Sequence, residues 1–205
     1  MSDRVDFLKV GSTTTRLTVA VELIDTFTGE QPEERLSVSA ADVDTVPARN
    51  PSGFHLFLDL PNDPLTVVVD GGDGYFDLKE TIDPTELDPP AVQLDVTPSP
   101  GYRFPSGATL LRGFVVDDSE DQVESATVSI RDTDEETVTD ENGEFVLFIK
   151  NITPADVHRT DDGTRLIRID GDDPEIHVAH PNHGSTTVRQ PLEEGSITRY
   201  NIVLG

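Results

Sequence analysis

Short apolar runs between turn-forming residues are the feature that most limits the folds open to this 205-residue chain. Leu17, Val19, Val21 and Leu23 occupy alternate positions, so they would line one face of a β-strand. Similar runs recur at roughly the 8–12-residue spacing that is typical of β-sandwiches and small barrels. Because no long helical periodicity accompanies them, the pattern predicts an all-β fold.

The predicted strands share this alternation, and turns such as Asn142-Gly and Asp170-Gly separate them. They cover residues 15–24, 36–40, 54–60, 65–70, 75–80, 92–97, 109–117, 126–131, 137–139, 144–150, 165–170, 175–179, 186–189 and 197–204. One short helix is predicted at residues 153–158, with Thr153 as its N-cap and Pro154 at its first position.

A proline-rich segment divides the chain near its middle. Pro98, Pro100 and Pro105 lie within it, together with Gly101 and Gly107, and this composition disfavours both a helix and a central strand. Domains usually contain about 100–200 residues, so the chain has room for one large or two small ones. We predict an N-terminal β-sandwich over residues 1–97, a stiff Pro-rich linker over 98–106 and a second β-sandwich over 107–205.

The two halves repeat one order of features. Residues 17–25, 35–39 and 50–58 correspond in pattern and spacing to residues 110–117, 126–130 and 140–148. In each copy a glycine, Gly53 or Gly143, closes a turn before an aromatic-rich strand, and glycine accepts the positive φ that such turns require. The repetition predicts two tandem small antiparallel β-sandwiches of one kind, Ig-like or transthyretin-like.

Three motifs in the second half carry a family resemblance. They are Gly113-Phe-Val-Val-Asp117, Ala126-Thr-Val-Ser-Ile130 and Thr139-Asp-Glu-Asn-Gly-Glu-Phe-Val-Leu147. In this pattern residues 107–205 resemble the carboxypeptidase regulatory-like domain, a transthyretin-like sandwich. The resemblance implies an accessory module without peptidase activity, because the catalytic domain of those enzymes is a different one. A glycine inside a strand, here Gly113, predicts a bulge or a close backbone approach.

The layout of the whole chain resembles haloarchaeal accessory proteins of phage-tail-like contractile injection systems and tailed viruses. The segments that carry this likeness are Val5-Asp-Phe-Leu8, Asn50-Pro-Ser-Gly-Phe54 and Pro98-Ser-Pro-Gly-Tyr-Arg-Phe-Pro105. The resemblance implies that the partners are other protein subunits in a multi-subunit assembly.

Forty Asp and Glu residues against fifteen Lys and Arg give a formal net charge of −25. The acidity is even, since residues 1–105 carry −12 and residues 106–205 carry −13. Such a chain lacks the cationic surface that attracts nucleic acid or anionic lipid. Aspartate makes up 25 of the acids and arginine 12 of the bases, which is typical of proteins from salt-accumulating haloarchaea. In molar salt the Debye length is about 3 Å, so self-repulsion is screened; an acidic mesophilic protein is the alternative.

The most concrete candidate for a metal site is a cluster of three histidines. His177, His180 and His183 are weak candidates, since imidazole is a common zinc ligand. In a strand, however, His177 and His180 would face opposite sides. We therefore expect an exposed histidine cluster, with no metal or other cofactor. The Asp-Gly loops at residues 70–74 and 170–173 are predicted to be turns and not calcium sites.

No motif for catalysis is present in the sequence. The chain has no Cys and no Gly-x-Ser-x-Gly elbow, and we find no phosphate-binding glycine loop. We therefore expect no enzyme but a structural or assembly subunit of a larger protein complex in an extreme halophile, of the virus-tail or contractile-injection type. The alternative is a ligand-binding accessory module for carbohydrate or peptide, with Tyr75, Phe76, Tyr102 and Phe104 as the local aromatic concentrations.

The expected location follows from the lack of a signal-peptide pattern and of an apolar run of membrane-spanning length. We expect cytoplasmic synthesis and incorporation into a released particle or virion.

Overall fold

The structure is a computed structural model that describes residues 14–41, 43 and 45–205. The described residues of the first half form seven strands: β1 (Leu17–Asp25), β2 (Ser37–Ala40), β3 (Ala48–Arg49), β4 (His55–Leu58), β5 (Leu65–Asp70), β6 (Leu78–Ile82) and β7 (Ala91–Val96). A single 3-10 turn, Pro84–Glu86, connects β6 to β7, and the Asp83 side chain caps it by accepting from the Thr85 amide.

Ten strands form in the second half. They are β8 (Leu110–Asp117), β9 (Thr127–Ile130), β10 (Glu136–Val138), β11 (Glu144–Phe148), β12 (Val157–Arg159), β13 (Arg165–Ile167), β14 (Glu175–His180), β15 (Gly184–Arg189), β16 (Ile197–Arg199) and β17 (Ile202–Leu204). Every predicted strand has a counterpart among these seventeen, although the run predicted at 197–204 is interrupted between β16 and β17.

In the first half, β1 is the central strand of a sheet with the order β3-β4-β1-β7. It pairs antiparallel with β4. The Ala20 amide donates to the Pro90 carbonyl and the Thr26 amide to the Val96 carbonyl, so both partners advance six residues and β7 runs parallel to β1. The second sheet of this half has the order β2-β5-β6.

The second half repeats this topology. Its strand β8 lies between the antiparallel β11 and the parallel β16 and β17. The opposing sheet has the order β10-β9-β14-β15, in which β9, β14 and β15 correspond to β2, β5 and β6. The hairpin β12–β13 is an addition. The predicted all-β class with two small sandwiches is confirmed.

The two turns that carry the repeated glycines have the same construction. The Asn50 carbonyl accepts from the Gly53 amide, and its side-chain oxygen accepts from the Phe54 amide at 2.9 Å. In the second half Asp140 makes the same pair of bonds, to the amides of Gly143 and Glu144. Both glycines have positive φ, 88° and 68°. The equivalence confirms the turn geometry predicted from the repeated motif.

The chain divides into two compact units. The first comprises the described part of Met1–Glu22, with Val38–Val68 and Lys79–Leu94. The second comprises Leu23–Ser37, Val69–Leu78 and Asp95–Gly205, so it includes the last residues of β1, β5 and β7. The predicted linker, residues 98–106, lies within this second unit. The predicted limits of two independent domains stay a prediction.

Each unit buries alternate strand residues. In the first, Val19, Val21, Phe57 and Val67 are fully buried. In the second, one core contains side chains from both sheets, with β8, β11 and β17 on one side and β9 and β14 on the other. Leu111, Phe145, Val128, Ile176 and Ile202 are among its members. This alternation is the reason that period-two patterning predicted the strands well.

The predicted helix at 153–158 is wrong. Thr153 and Asp156 form one turn, in which the Asp156 amide donates to the Thr153 carbonyl and the Asp156 carboxylate accepts from the Thr153 amide. One capped turn is too short to nucleate a helix. The next residues instead pair with β13 as strand β12, which satisfies their backbone groups.

Replacement of Gly113 tests the close approach that its position in β8 predicts. A Cβ at Gly113 would overlap the Tyr200 carbonyl oxygen, in the connection between β16 and β17. We expect Gly113→Ala to lower the free energy of unfolding by about 1–3 kcal/mol, the cost of overpacking. Gly74→Ala is the control, because its Cβ would contact only the flexible end of Glu34, at 3.3 Å. Denaturant unfolding measures both, and equal effects would contradict the close approach.

Candidate functional site

A buried carboxylate at the end of β1 forms the most elaborate polar arrangement that the structure describes. Asp25 is only 1% exposed. Its Oδ2 atom accepts from the Tyr75 hydroxyl at 3.0 Å and from the Tyr102 hydroxyl at 2.6 Å. Its Oδ1 atom accepts from the Phe27 amide at 2.7 Å. A buried carboxylate is tolerated only when it is well hydrogen-bonded, and these three donors meet that need.

The local turn after β1 orients the carboxylate. The Asp25 carbonyl accepts from the Gly29 amide, and the Asp25 amide donates to the Glu30 carbonyl. The chain therefore reverses directly after Asp25, and its side chain satisfies the Phe27 amide in the turn. Oδ2 remains free for groups from other segments.

The Pro-rich segment supplies the second tyrosine by folding against residues 71–76. The Phe76 amide donates to the Thr97 carbonyl and the Ser99 amide donates to the Gly74 carbonyl. The Tyr102 amide then donates to the Ser99 carbonyl, which turns the chain and brings the Tyr102 ring to Asp25. The segment is thus a sequence of hydrogen-bonded turns within the second unit.

Five aromatic rings, those of Phe27, Tyr75, Tyr102, Phe104 and Phe148, form and flank the network, and every pair except the tilted Phe104–Phe148 packs edge to face. Tyr75 lies 5.3 Å from Tyr102, and Phe27 lies 4.9 Å from Phe104 and 5.3 Å from Phe148, measured between ring centroids. Such pairs contribute about 0.5–1.5 kcal/mol each beyond the area they bury. Leu110 and Val146 extend this apolar cluster onto the outer face of the β8–β11 pair.

Two cationic side chains, Arg112 and Lys150, contact the aromatic cluster and the backbone next to it. Arg112 donates to the Pro100 carbonyl at 2.8 Å, and its guanidinium lies 5.6 Å from the centre of the Phe104 ring. Lys150 donates to the Thr26 carbonyl at 2.7 Å and lies 5.3 Å from the Phe148 ring centre. Both positions favour cation–π attraction. Burial lowers the pKa of Arg112.

The tyrosine hydroxyls hold their protons more tightly than ordinary phenols. Burial, assisted by the hydrogen bond to Asp25, raises the pKa of Tyr102 to about 12. Burial and the neighbouring Asp25 charge also raise the pKa of Tyr75. The arrangement therefore keeps two neutral donors pointed at one acceptor, which suits a structural role.

An acidic cleft of about 590 Å³ opens beside this network, inside the second unit. Phe27, Tyr75 and Tyr102 form its apolar wall. Its other lining residues include Glu30, Glu33, Glu34 and Asp73, and Arg103 is the one cation among the described lining residues. No described Lys, Arg or His forms an ion pair with these four carboxylates. A concave site with this charge and an aromatic wall can receive a cationic group.

The structure brings two of the three candidate histidines together. The rings of His180 and His183 lie 4.8 Å apart, and His183 Nδ1 lies 3.7 Å from an Asp117 carboxylate oxygen. His177 is three residues from His180 on β14 and contacts Thr187 Oγ1 at 3.1 Å. Across the part of the chain that the structure describes, no group of three or more His, Asp or Glu side chains has the geometry to hold a metal ion.

The Asp-Gly loops are turns in the structure. The Asp70 carboxylate accepts from the Gly72 amide at 3.0 Å, and the Asp77 carboxylate accepts from the Gly71 amide at 2.9 Å. Asp173 pairs with Arg168. These carboxylates satisfy local amides and a cation, as the turn interpretation predicted.

Sequence reasoning identified part of this site and missed its centre. Tyr75, Tyr102 and Phe104 stood out as aromatic concentrations, but Asp25 is one of 25 aspartates and has no neighbouring motif. Its position at the last residue of an apolar strand is the one available signal. An aspartate on the buried phase of such a strand must find donors elsewhere in the fold.

No family model matches the chain, and no curated protein matches its sequence. Among solved structures, the Bacillus anthracis TIE protein is 12% identical with a TM-score of 0.29, and the match covers 90% of this chain but 33% of that one. The chain thus spans about a third of that protein's length.

Two pilins are similar over nearly their whole length. The shaft pilin SpaA of Lactobacillus rhamnosus GG is 9% identical, with 94% of this chain and 98% of that chain covered and a TM-score of 0.25. The minor pilin GBS52 of Streptococcus agalactiae is also 9% identical, with 94% and 95% covered and a TM-score of 0.25. Scores in this range do not indicate a common spatial arrangement along the whole chain, so we base no functional argument on them.

Removal of either tyrosine hydroxyl tests whether the network stabilises the second unit. We expect Tyr75→Phe and Tyr102→Phe each to lower the free energy of unfolding by about 1.5–3 kcal/mol, the range for hydrogen bonds to a charged group. Tyr200→Phe is the matched control, since Tyr200 is exposed and lies outside the network; its effect should stay within about 0.5 kcal/mol. Chemical denaturation of the three variants measures the difference, and equal effects would contradict the assignment.

The raised phenol pKa values also predict the response to alkali. Between the ordinary tyrosine value of 10.0 and about 12, the unfolded chain loses the Tyr102 proton while the folded chain keeps it. Stability contributed by this proton is therefore present below pH 10 and is lost as the pH rises through that window. Unfolding followed across this range should show the fall, and Tyr102→Phe should make it shallower. A variant with an unchanged pH profile would contradict the shift.

Proposed function

We propose that this chain is a non-catalytic structural subunit that packs into a larger protein assembly. The observation that carries the proposal is the Asp25 network with its aromatic surround. It joins the end of β1, residues 71–76 and the Pro-rich segment to the second sandwich, all within one compact unit. A subunit that transmits or maintains a shape needs its connections held in this way.

The energetics favour a rigid connection over a hinge. Two charge-assisted hydrogen bonds contribute about 1.5–3 kcal/mol each, and every aromatic pair adds about 0.5–1.5 kcal/mol. Opening the segment would break these contacts together and leave the Asp25 carboxylate buried without its donors. A module that closes around a substrate is built from segments of low local stability, which is the opposite arrangement.

The surface charge supports a halophilic setting as part of the proposal. A net charge of −25 on 205 residues is strongly self-repelling at low ionic strength and is screened in molar salt. Arginine in place of lysine offers several donors to one carboxylate, as Arg189 shows on Glu175, where Nε and Nη2 both donate to Oε1, at 3.0 and 2.7 Å.

The finer parts of the proposal follow the sequence resemblances. The second half is proposed to be of the carboxypeptidase regulatory-like type, and the chain to serve in a tail-like or contractile-injection particle. It would be made in the cytoplasm and incorporated into that particle, with protein subunits as partners and neither nucleic acid nor membrane. Among the described residues no helix is long and apolar enough to cross a bilayer.

The acidic cleft favours one alternative, an accessory module that binds a ligand. Its aromatic wall is not a flat platform of the kind on which sugars stack, because Tyr75 and Tyr102 pack edge to face and both hydroxyls are bound to Asp25. The unpaired carboxylates fit a basic peptide better. Calorimetry with lysine- and arginine-containing peptides tests this alternative against an acidic peptide as the control.

The salt dependence of stability tests the halophilic part of the proposal. We expect the free energy of unfolding to rise steeply from low to molar KCl, because screening removes repulsion among the carboxylates. Circular dichroism during dialysis measures this, and a fold that persists unchanged at low salt would contradict the halophilic setting.

Pull-down from the native source in molar salt tests the structural role. We expect co-purification with other protein subunits at a defined stoichiometry. Recovery of the chain without protein partners, or with a catalytic activity of its own, would contradict the role.

A further inference from the structure

Strand β8 and the β16–β17 segment carry most of the large apolar side chains that the structure leaves exposed. Phe114, Ile197, Tyr200 and Val203 are 37%, 47%, 37% and 54% exposed. They belong to β8 and to the β16–β17 segment beside it. On a surface that is otherwise strongly acidic, a contiguous apolar group of this kind marks an interaction site.

The strand register places Phe114, Ile197 and Val203 on one face, and Tyr200 lies in the connection between β16 and β17. Leu110, Arg112, Phe114 and Val116 alternate with the core residues of β8 and so share its outer side. In the parallel pairing, Ile197 lies beside Leu110, Arg199 beside Arg112 and Val203 beside Val116. We call these residues, Leu110, Arg112, Phe114, Val116, Ile197, Arg199 and Val203, the β8 outer face. Phe27 and Phe104 cover its Leu110 end, and the remainder has no cover among the described residues.

An unpaired cation lies in the middle of this face. Arg199 is exposed, and no described carboxylate lies within ion-pair distance of it. Its neighbour Arg112 differs, because it donates to the Pro100 carbonyl and contacts the Tyr102 backbone. The acidic cleft has the complementary composition, with Glu33 and Glu34, which pair with no described cation, and the wall of Phe27 and Tyr102.

We infer that the β8 outer face binds a second copy of this chain, with Arg199 of each copy entering the acidic cleft of the other. The inference rests on the proposed structural role and names a partner for it. A guanidinium is suited to such a cleft, because it pairs with carboxylates and stacks on aromatic rings at once. The apolar residues around Arg199 supply the buried area that ion pairs alone do not.

The positions of the two surfaces on one chain favour a closed pair. Arg112 connects them, since it is the register neighbour of Arg199 and also contacts Tyr102 at the cleft. Complementary surfaces that adjoin can satisfy each other across a two-fold axis, with the same contact made twice. The expected species is therefore a dimer and not an open polymer.

Charge exchange between the two surfaces tests the inference in molar KCl, where long-range repulsion is screened. Light scattering coupled to size exclusion should show a wild-type dimer. Arg199→Glu and the pair Glu33→Lys with Glu34→Lys should each raise the dissociation constant at least about tenfold. An equimolar mixture of the two variants should dimerise again, because its heterodimer has one wild-type contact and one charge-exchanged contact, and both are attractive.

Arg159→Glu is the matched control, as Arg159 is an exposed arginine on β12 and the change in charge is the same. It should leave the dimer unaltered, and circular dichroism checks that every variant is folded. Val203→Glu, in the apolar part of the face, should also weaken the dimer. A wild-type monomer, an open polymer or an Arg199→Glu dimer of unchanged affinity would overturn the inference. A wild-type monomer that still co-purifies with other subunits would overturn the dimer inference and leave the proposed structural role intact.

Discussion

The burial of the Asp25 carboxylate is the constraint on which the organisation of the second unit depends. A charge at this depth requires donors, and the turn after β1 supplies only the Phe27 amide. The other two donors come from Tyr75 and Tyr102, which are distant in the sequence. Meeting that requirement draws the Pro-rich segment onto the fold. The aromatic rings then pack against one another around the network, and Arg112 and Lys150 donate to backbone carbonyls of the segments that carry it.

The interior of the molecule has an ordinary composition for a β-sandwich, whereas its surface is unusually acidic. The cores are the Val, Ile, Leu and Phe interiors of common sandwiches. The outside is acidic throughout, so it reports the solvent more than any one partner. Against that background the β8 outer face is an exception, since it combines exposed apolar side chains with Arg199. Because it departs from the surrounding acidic surface, the β8 outer face says more about a binding partner than any single acidic residue does.

Most of the fold could be predicted from the sequence, and the reasons are local. Alternation in runs such as 17–23 reports which face is buried, and the Asn50 and Asp140 turns depend on residues no more than four apart. The predictions that were wrong or missing concern residues whose structure depends on distant strands or side chains, which a local sequence pattern does not report. Residues 157–159 became a strand because β13 was available to pair with them. Asp25 was missed because its partners lie 50 and 77 residues away. The spacing of His177 and His180 predicts that they face opposite sides of a strand, and this stays a prediction, whereas the contact of His183 with Asp117 depends on the fold.

Hydrogen exchange of single amides tests the central claim most directly, because it compares the network with the core inside one unit. The amides of Thr26 and Phe76 donate to Val96 and Thr97 beside the Asp25 network, and the Val115 amide donates to Gly143 in the second sandwich. If the network holds these segments as part of one rigid unit, all three amides exchange only on unfolding of the whole unit, with equal opening free energies. Exchange of Thr26 and Phe76 at a much lower opening free energy than Val115 would show that the segments detach separately, and would contradict the account.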